Sequence, residues 1–231
     1  MDISKNGLQA VRSRIADACL LSQRNARDII LVAVTKSVSA EAIRAAFAVG
    51  QRDFGESYVQ EALTKRAALA DLPLVWHYIG PIQSNKTRVI AENFDWVHSV
   101  DRFKVAERLS QQRPAEKGPL NLCLQVNISG ESTKSGIAPA EVPELALAVA
   151  GLPQLRLRGL MAIPEPSKDR DLSRRRFESL AQLQKGLQAK GLPLDTLSMG
   201  MSDDLEAAIA AGSTLLRVGT AIFGHRPLSA K

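Results

Sequence analysis

The chain alternates short apolar, β-prone runs with segments of helical periodicity. The β-prone runs lie at residues 29–34, 52–57, 74–80, 96–100, 120–128, 155–163, 194–200 and 214–224. A helical segment separates each run from the next, and one amphipathic segment precedes the first run. Eight strands alternating with seven helices are typical of a parallel α/β barrel. The alternation therefore predicts a (β/α)8 TIM barrel with an extra N-terminal helix.

A doubly wound open sheet is the alternative fold, because alternation alone does not show whether the strands close. No G-x-G-x-x-G turn follows the first predicted strand, which weakens that alternative. We expect a single domain over residues 1–231, with a helix and lead-in at 1–28, the barrel at 29–224 and a tail at 225–231. These ranges leave no room for a second, β-rich domain.

Composition narrows the classes of protein that fit. The chain is 45% hydrophobic, and no run approaches the roughly 18 apolar residues of a membrane span, so we expect a globular protein with no membrane partner. Charges throughout the N-terminal segment argue against a secretory signal, which points to the cytoplasm. A net charge of +6 suits an anionic ligand, whereas 4% aromatic content argues against nucleic-acid binding. We expect Cys19 and Cys123 to be buried thiols, and we assign no metal site.

Polar residues and glycines follow several predicted strands at their carboxyl ends, where barrels of this type carry chemistry. Lys36 follows the first strand, and Ser202 follows the seventh at the expected start of a helix. Gly219 and Thr220 lie on the eighth strand. The loops after strands seven and eight commonly form a phosphate site, and exposed amides of a first helical turn favour an anion. We therefore expect an anion site there, with ordinary capping and turn chemistry as the alternative.

A lysine opposite a phosphate site suits a phosphorylated aldehyde held as a Schiff base. The Lys36 amine must be neutral to attack, so its pKa must fall below the usual value of about 10.4. Arg217, which alternation points into the barrel mouth, would supply positive charge that lowers this pKa. A solvated surface lysine is the alternative. For His77, in the third strand, we favour a hydrogen-bonded structural role over that of a general base.

Seven segments then identify a family resemblance. They are "AVTK", "GQRDFGESYVQE", "WHYIGPIQSNK", "QVNISGESTKSG", "LRGLMAI", "GMSDDLEAAIAAGST" and "LRVGTAIFG". Together they resemble the pyridoxal phosphate homeostasis proteins (the YggS/PROSC family) from about residue 32 to residue 224. The resemblance implies a barrel like the N-terminal domain of alanine racemase. It also implies covalent binding of pyridoxal 5'-phosphate (PLP) through Lys36.

The same resemblance implies the remaining cofactor-binding residues. Arg217 matches the arginine that approaches the pyridine nitrogen in the racemases, and a contact with the phosphate is the alternative. Asn85 is present as the family pattern expects, whereas Ser57 stands where the family pattern has asparagine. The positions matching the phosphate site are Met201 (through its amide), Ser202, Gly219 and Thr220.

Three functions remain open from the sequence. The favoured one is a PLP carrier or regulator in vitamin B6 and amino-acid homeostasis, acting as a monomer with PLP-dependent apo-enzymes as recipients. It assigns no catalytic residue, for two reasons. The racemases take a catalytic tyrosine from a second domain, for which the expected ranges leave no room. Without that domain, the open mouth of the barrel would expose reactive carbanions to water. The second is a PLP-dependent amino-acid racemase, with Tyr58 or Tyr78 as a hidden base. The third is a cofactor-free lyase that forms a Schiff base with a sugar phosphate.

Overall fold

The strands of this protein close into a barrel. The structure is a computed structural model that describes residues 3–130, 135–167 and 169–224. All strand pairs are parallel and follow chain order, and the first strand pairs with the eighth. The strands are β1 (Ile30–Val34), β2 (Asp53–Glu56), β3 (Val75–Tyr78), β4 (Trp96–Val100), β5 (Leu120–Gln125), β6 (Leu155–Met161), β7 (Thr196–Ser198) and β8 (Leu215–Val218). The (β/α)8 barrel is therefore confirmed, and the open sheet is wrong.

Helices surround this barrel. Within the described ranges they are α1 (Ile3–Leu21), α2 (Ala40–Ala48), α3 (Val59–Ala68), α4 (Thr87–Asn93), α5 (Phe103–Gln112), α6 (Val142–Ala150), α7 (Arg170–Gln188), α8 (Leu205–Ala210) and α9 (Thr220–Phe223). Helices α2 to α8 each connect one strand to the next, as the alternation predicts. Short 3-10 turns lie at Ala26–Asp28, Ser84–Lys86, Ala115–Lys117 and Pro139–Glu141.

The eighth strand is shorter than its apolar run predicts. It ends at Val218, and Thr220 begins a four-residue helix, α9, instead of continuing the strand to residue 224. The backbone leaves the extended conformation at Gly219, whose carbonyl accepts hydrogen bonds from the amides of Ile222 and Phe223 at 2.9 and 3.0 Å. This turn places Gly219 and Thr220 at the mouth of the barrel.

The predicted N-terminal helix is α1, which packs against α2, α8 and α9. At Gly7, helix α1 approaches helix α9 so closely that a Cβ atom on Gly7 would lie 2.2 Å from the carbonyl oxygen of Ile222.

The predicted tail at 225–231 lies outside the described residues. Both cysteines are buried free thiols, as expected. None of the helices in the described ranges is long and apolar enough to cross a membrane.

Helix α2 begins with a side-chain cap at Ser39, the residue directly before the helix. The Ser39 hydroxyl accepts a hydrogen bond from the Ala42 amide at 3.3 Å. We expect Ser39→Ala to lower the free energy of unfolding by about 1 kcal/mol, because this amide would lose its partner. Urea unfolding would measure the change, and Ser39→Asp, which keeps an acceptor, should unfold close to the wild type. Equal unfolding of the alanine variant and the wild type would contradict this role.

Candidate functional site

Lys36 lies at the mouth of the barrel, two residues beyond the end of β1. It occupies a turn with Ser37, and its side chain is half-buried. The backbone of Ser37 has φ +62°, a left-handed conformation that non-glycine residues seldom adopt. A strained residue directly after the lysine indicates that surrounding contacts hold this turn in place.

Those contacts come from β2 and α3. The Thr35 amide donates to the carbonyl of Gly55 at 2.9 Å, and the Thr35 carbonyl accepts from the Lys65 ammonium at 2.6 Å. On the other side of Lys36, the Ser37 amide donates to the Glu61 carboxylate. The backbone is therefore held immediately before and immediately after Lys36.

The group that holds this turn is a charge cluster made of the buried Glu56 and Lys65 and the partly exposed Glu61. The Lys65 ammonium lies 2.8 Å from Glu56 Oε1 and 2.5 Å from Glu61 Oε1, and the Thr35 hydroxyl donates to Glu56 Oε1 at 2.7 Å. Glu56 is fully buried, and its Oε2 atom has no hydrogen-bond partner among the described residues. Burial raises the pKa of Glu56, and hydrogen bonds from Lys65 and Thr35 act in the opposite direction.

Arg217 lies inside the barrel on β8. Its side chain is buried, with Nη1 donating to the Ser198 hydroxyl at 2.6 Å and Nη2 donating to the carbonyl of Ala162 at 3.0 Å. Burial lowers the pKa of Arg217 to about 10. At neutral pH the guanidinium therefore remains charged, and both of these bonds go to neutral oxygens.

The four residues of the expected anion site lie on adjacent segments. Met201 and Ser202 follow β7, whereas Gly219 and Thr220 follow β8. The Ser202 hydroxyl accepts from the Ala221 amide at 3.2 Å, which joins the two segments. A Cβ atom on Gly219 would lie 3.3 Å from both the Cβ and the carbonyl oxygen of Val34, so β8 approaches β1 closely there.

Two details of this corner differ from the sequence expectation. Helix α8 begins at Leu205, so Ser202 lies three residues before the helix rather than at its start. The Met201 amide donates to the carboxylate of Asp204 at 2.6 Å. Burial raises the pKa of Asp204. A short carboxylate side chain competes with backbone groups for nearby amides, and apolar periodicity does not report such a bond.

The barrel geometry brings most of the predicted residues to one side of the mouth. Because β1 pairs with β8 and β7 with β8, Lys36 follows the strand beside Arg217. Asn85 is placed differently: it is exposed on the 3-10 turn after β3, with β2 between that strand and β1. A nearby rim cavity of about 490 Å³ is lined by Ser57, Tyr58, Val59, Gln60, Tyr78, Pro81, Gln83 and Lys86.

Sequence reasoning missed the cluster below the lysine and the partners of Arg217. Glu61 and Lys65 have i, i+4 spacing, which is typical of an exposed helical ion pair. This spacing was the only sign in the sequence of an ion pair here.

His77 is fully buried and hydrogen-bonded through both ring nitrogens, in agreement with the structural role that we favoured. No group of three or more metal-ligating side chains occurs in the part of the chain that the structure describes.

Comparison with known proteins assigns this barrel to a class. Residues 8–227 match the family described as alanine racemase, N-terminal domain. An alanine racemase of Clostridium difficile superposes with a TM-score of 0.77 at 14% identity, covering 99% of this chain and 58% of that one. At that identity the likeness concerns the fold alone.

Curated relatives are much more similar. A pyridoxal phosphate homeostasis protein of Pseudomonas aeruginosa is 58% identical over 230 residues, covering 100% of this chain and 99% of the relative. One of Escherichia coli is 52% identical over 236 residues, with 100% and 99% covered. PipY of Synechococcus elongatus, solved with PLP bound, has a TM-score of 0.81 at 41% identity, covering 91% of this chain and all of PipY. The chain belongs to the family of pyridoxal phosphate homeostasis proteins, as the sequence motifs predict.

Proposed function

We propose that this chain binds PLP reversibly through a Schiff base on Lys36. We further propose that the whole chain is one PLP-binding domain that serves PLP (vitamin B6) and amino-acid homeostasis in the cytoplasm without robust catalysis. The observation that carries the proposal is the position of Lys36, held in a fixed turn after β1 and beside the strand that carries Arg217. The family name and the PLP-bound PipY support the choice of ligand.

The residues at the mouth fit the chemistry of PLP. Arg217 offers a buried positive charge whose two described hydrogen bonds go to neutral oxygens, which suits an anionic ligand. Gly219 carries no side chain and is partly exposed, so a ligand can approach its backbone closely. The hydroxyls of Ser202 and Thr220 supply further donors. When bound, PLP supplies an aldehyde to Lys36 and a phosphate to these donors.

Binding at the Met201 amide requires one rearrangement. That amide already donates to Asp204, so the phosphate must displace a carboxylate oxygen to reach it. Burial raises the pKa of Asp204, which means that the charged carboxylate is less favourable there than in water. The hydrogen bond to Asp204 satisfies the amide in the ligand-free chain and leaves it available to a more strongly charged acceptor.

The covalent step requires only the aldehyde and the lysine. The neutral Lys36 amine adds to the aldehyde carbon, water leaves, and a C=N bond replaces C=O, so no oxidant or reductant is involved. Hydrolysis reverses the step and returns the aldehyde. This reversibility suits a carrier that passes PLP to PLP-dependent apo-enzymes.

Tyr78 is a poor candidate for the base that a racemase needs. Its hydroxyl donates to the carbonyl of Pro81 at 2.9 Å, its ring packs edge-on against Phe94, and burial raises its pKa to about 12. A phenol with such a pKa keeps its proton at neutral pH. We therefore favour binding over racemisation.

Adding PLP to the purified chain tests the proposal. We expect a visible imine absorbance band in the wild type and its complete loss in Lys36→Ala, because no other amine occupies the turn after β1. Lys86→Ala, which removes a lysine of the rim cavity, should retain the band. Borohydride reduction followed by peptide mass spectrometry should locate the label on Lys36. A wild type without the band, or an alanine variant with it, would refute the proposal.

The same preparation separates the alternative functions. Incubation of the PLP-loaded chain with L-alanine in D2O should yield neither D-alanine nor α-deuterated alanine, and measurable turnover would favour the racemase. Borohydride trapping of a sugar phosphate without added PLP would favour the lyase. Sedimentation should show a monomer. Mixing with a PLP-dependent apo-enzyme should restore its activity if the chain acts as a donor.

A further inference from the structure

A chain of hydrogen bonds crosses the interior of the barrel and ends at Arg217. Arg217 Nη1 donates to Ser198 Oγ at 2.6 Å, and Ser198 Oγ lies 2.8 Å from His98 Nδ1. His98 Nε2 lies 3.0 Å from His77 Nδ1, and His77 Nε2 lies 3.0 Å from the carboxylate of Asp53. Five side chains from five strands thus form one continuous series.

The series connects the two ends of the barrel. Asp53 is the first residue of β2, at the amino-terminal end of the strands, and its side chain is partly exposed. His77, His98 and Ser198 are fully buried. The indole ring of Trp96 stacks on the His77 ring with centroids 5.6 Å apart, which limits movement of that imidazole. The series of hydrogen bonds therefore runs from solvent at the amino-terminal end of the strands, the floor of the barrel, to the guanidinium of Arg217 below the mouth.

The chemistry of the two ends determines the direction of the bonds. A guanidinium only donates, and an ionised carboxylate only accepts. Ser198 accepts from Arg217, so its own hydrogen is available to His98 Nδ1. His98 Nε2–H then donates to His77 Nδ1, and His77 Nε2–H donates to Asp53. Each imidazole is neutral with its proton on Nε2, and each contact has one donor and one acceptor.

The reversed direction satisfies fewer groups. If His98 carried its proton on Nδ1, it would donate to Ser198, whose two described partners would then both be donors. His77 would have to be doubly protonated to face both His98 and the Asp53 carboxylate. Burial, together with the nearby positive charge of Arg217, holds the pKa of His98 well below its usual value, so His98 carries a single proton in either direction. The neutral, one-directional arrangement is the favoured one.

We propose that Asp53, His77, His98 and Ser198 are positioning residues that orient the guanidinium of Arg217 toward the PLP ring from the opposite end of the barrel. The inference rests on the proposed function for its ligand, because it assigns these residues a role in binding PLP. Ser198 directs Nη1, while the carbonyl of Ala162 directs Nη2. Partners of a ligand-binding group that are themselves fixed by hydrogen bonds lock its orientation.

The ligand-free protein supplies the first test. In the wild type labelled with 15N-histidine, the ring shifts of His77 and His98 should show neutral rings protonated on Nε2. Asp53→Leu removes the acceptor at the floor and should alter the His77 ring shifts, whereas Asp53→Asn retains an acceptor oxygen and should preserve them. A wild-type proton on Nδ1 of either ring would overturn the inference.

PLP binding supplies the second test. We expect Ser198→Ala and Asp53→Leu to weaken PLP binding about tenfold and to shift the imine band, as loss of a supporting partner typically does. Asp53→Asn should recover most of the affinity. Ser213→Ala is the matched control, because its buried hydroxyl donates to the carbonyl of Met199 outside this series.

The outcomes distinguish this inference from the proposed function. If the wild type binds PLP but a folded Asp53→Leu or Ser198→Ala variant binds it equally well, the positioning role is refuted and the proposed function remains. If the wild type does not bind PLP, the proposed function fails, and the positioning role of the hydrogen-bonded series fails with it. A thermal midpoint retained in Asp53→Leu itself shows that this variant is folded, so that any loss of PLP affinity in it reflects the missing acceptor.

Discussion

Replacing Lys65 with methionine should lower the free energy of unfolding by about 3–5 kcal/mol, the cost of leaving a buried charge without its partner. Lys65 is only 7% exposed and contacts Glu56, Glu61 and the carbonyl of Thr35. Methionine fills a similar volume but donates no hydrogen bond. Glu56 is fully buried, so it would keep its charge in an apolar site or take up a proton.

The pH dependence of this variant provides a specific signature. Burial already raises the pKa of Glu56 above its ordinary value of 4.5, and loss of Lys65 would raise it further. The folded state then binds the Glu56 proton more tightly than the unfolded state does. Stability therefore falls as the pH rises from the unfolded-state pKa of Glu56 to its higher folded-state pKa. Relative to the wild type, the urea midpoint of Lys65→Met should therefore rise as the pH is lowered from neutral toward the ordinary pKa of Glu56.

Two further variants make this prediction decisive. The double variant Glu56→Gln with Lys65→Met removes the unpaired charge and should recover part of the lost stability. Lys185→Met replaces an exposed lysine on α7 and should unfold like the wild type. If Lys65→Met resembled Lys185→Met, the cluster would not stabilise the fold. Because the cluster also holds the turn of Lys36, the single variant should form the PLP imine less completely.

The sequence predicted the barrel and the position of Lys36 because both depend on local periodicity. Alternating apolar runs mark strands, and a polar residue directly after a run lies at the strand's carboxyl end. The same reasoning placed Arg217 inside the barrel, where the structure has it. The helix α9 was missed because the apolar letters of 220–223 suit a strand equally well and span scarcely one helical turn.

The groups that hold the site were not predictable in this way. Lys65 reaches Glu56 because α3 packs against the end of β2, and spacing along the chain does not report that packing. His98 and Ser198 are 100 residues apart in sequence and meet only in the closed barrel. Local patterns therefore identify the residues presented to a ligand, whereas their supporting contacts depend on tertiary packing.

Gly200, which directly precedes Met201 and Ser202 of the expected anion site, should tolerate no side chain. Gly200 has φ +100°, and a Cβ atom there would lie 2.6 Å from the Cβ of Ala208 and 2.7 Å from Cδ2 of Leu216. Its carbonyl accepts from the Arg217 amide at 3.0 Å, so the backbone cannot shift without disturbing β8. We expect Gly200→Ala to lower the free energy of unfolding by about 2–5 kcal/mol, combining backbone strain with overpacking.

The functional consequence should exceed that of a general loss of stability. Gly200 precedes Met201 and Ser202, so relief of the clash with Ala208 would move the amide and the hydroxyl that we assign to phosphate. PLP affinity measured well below the unfolding midpoint should fall in Gly200→Ala. Gly186→Ala is the matched control, because that glycine lies in α7 with open space around its Cα, and alanine is the better helix former there. This control should be slightly more stable and bind PLP normally, and equal PLP affinity in the two variants would argue against a phosphate site at this corner.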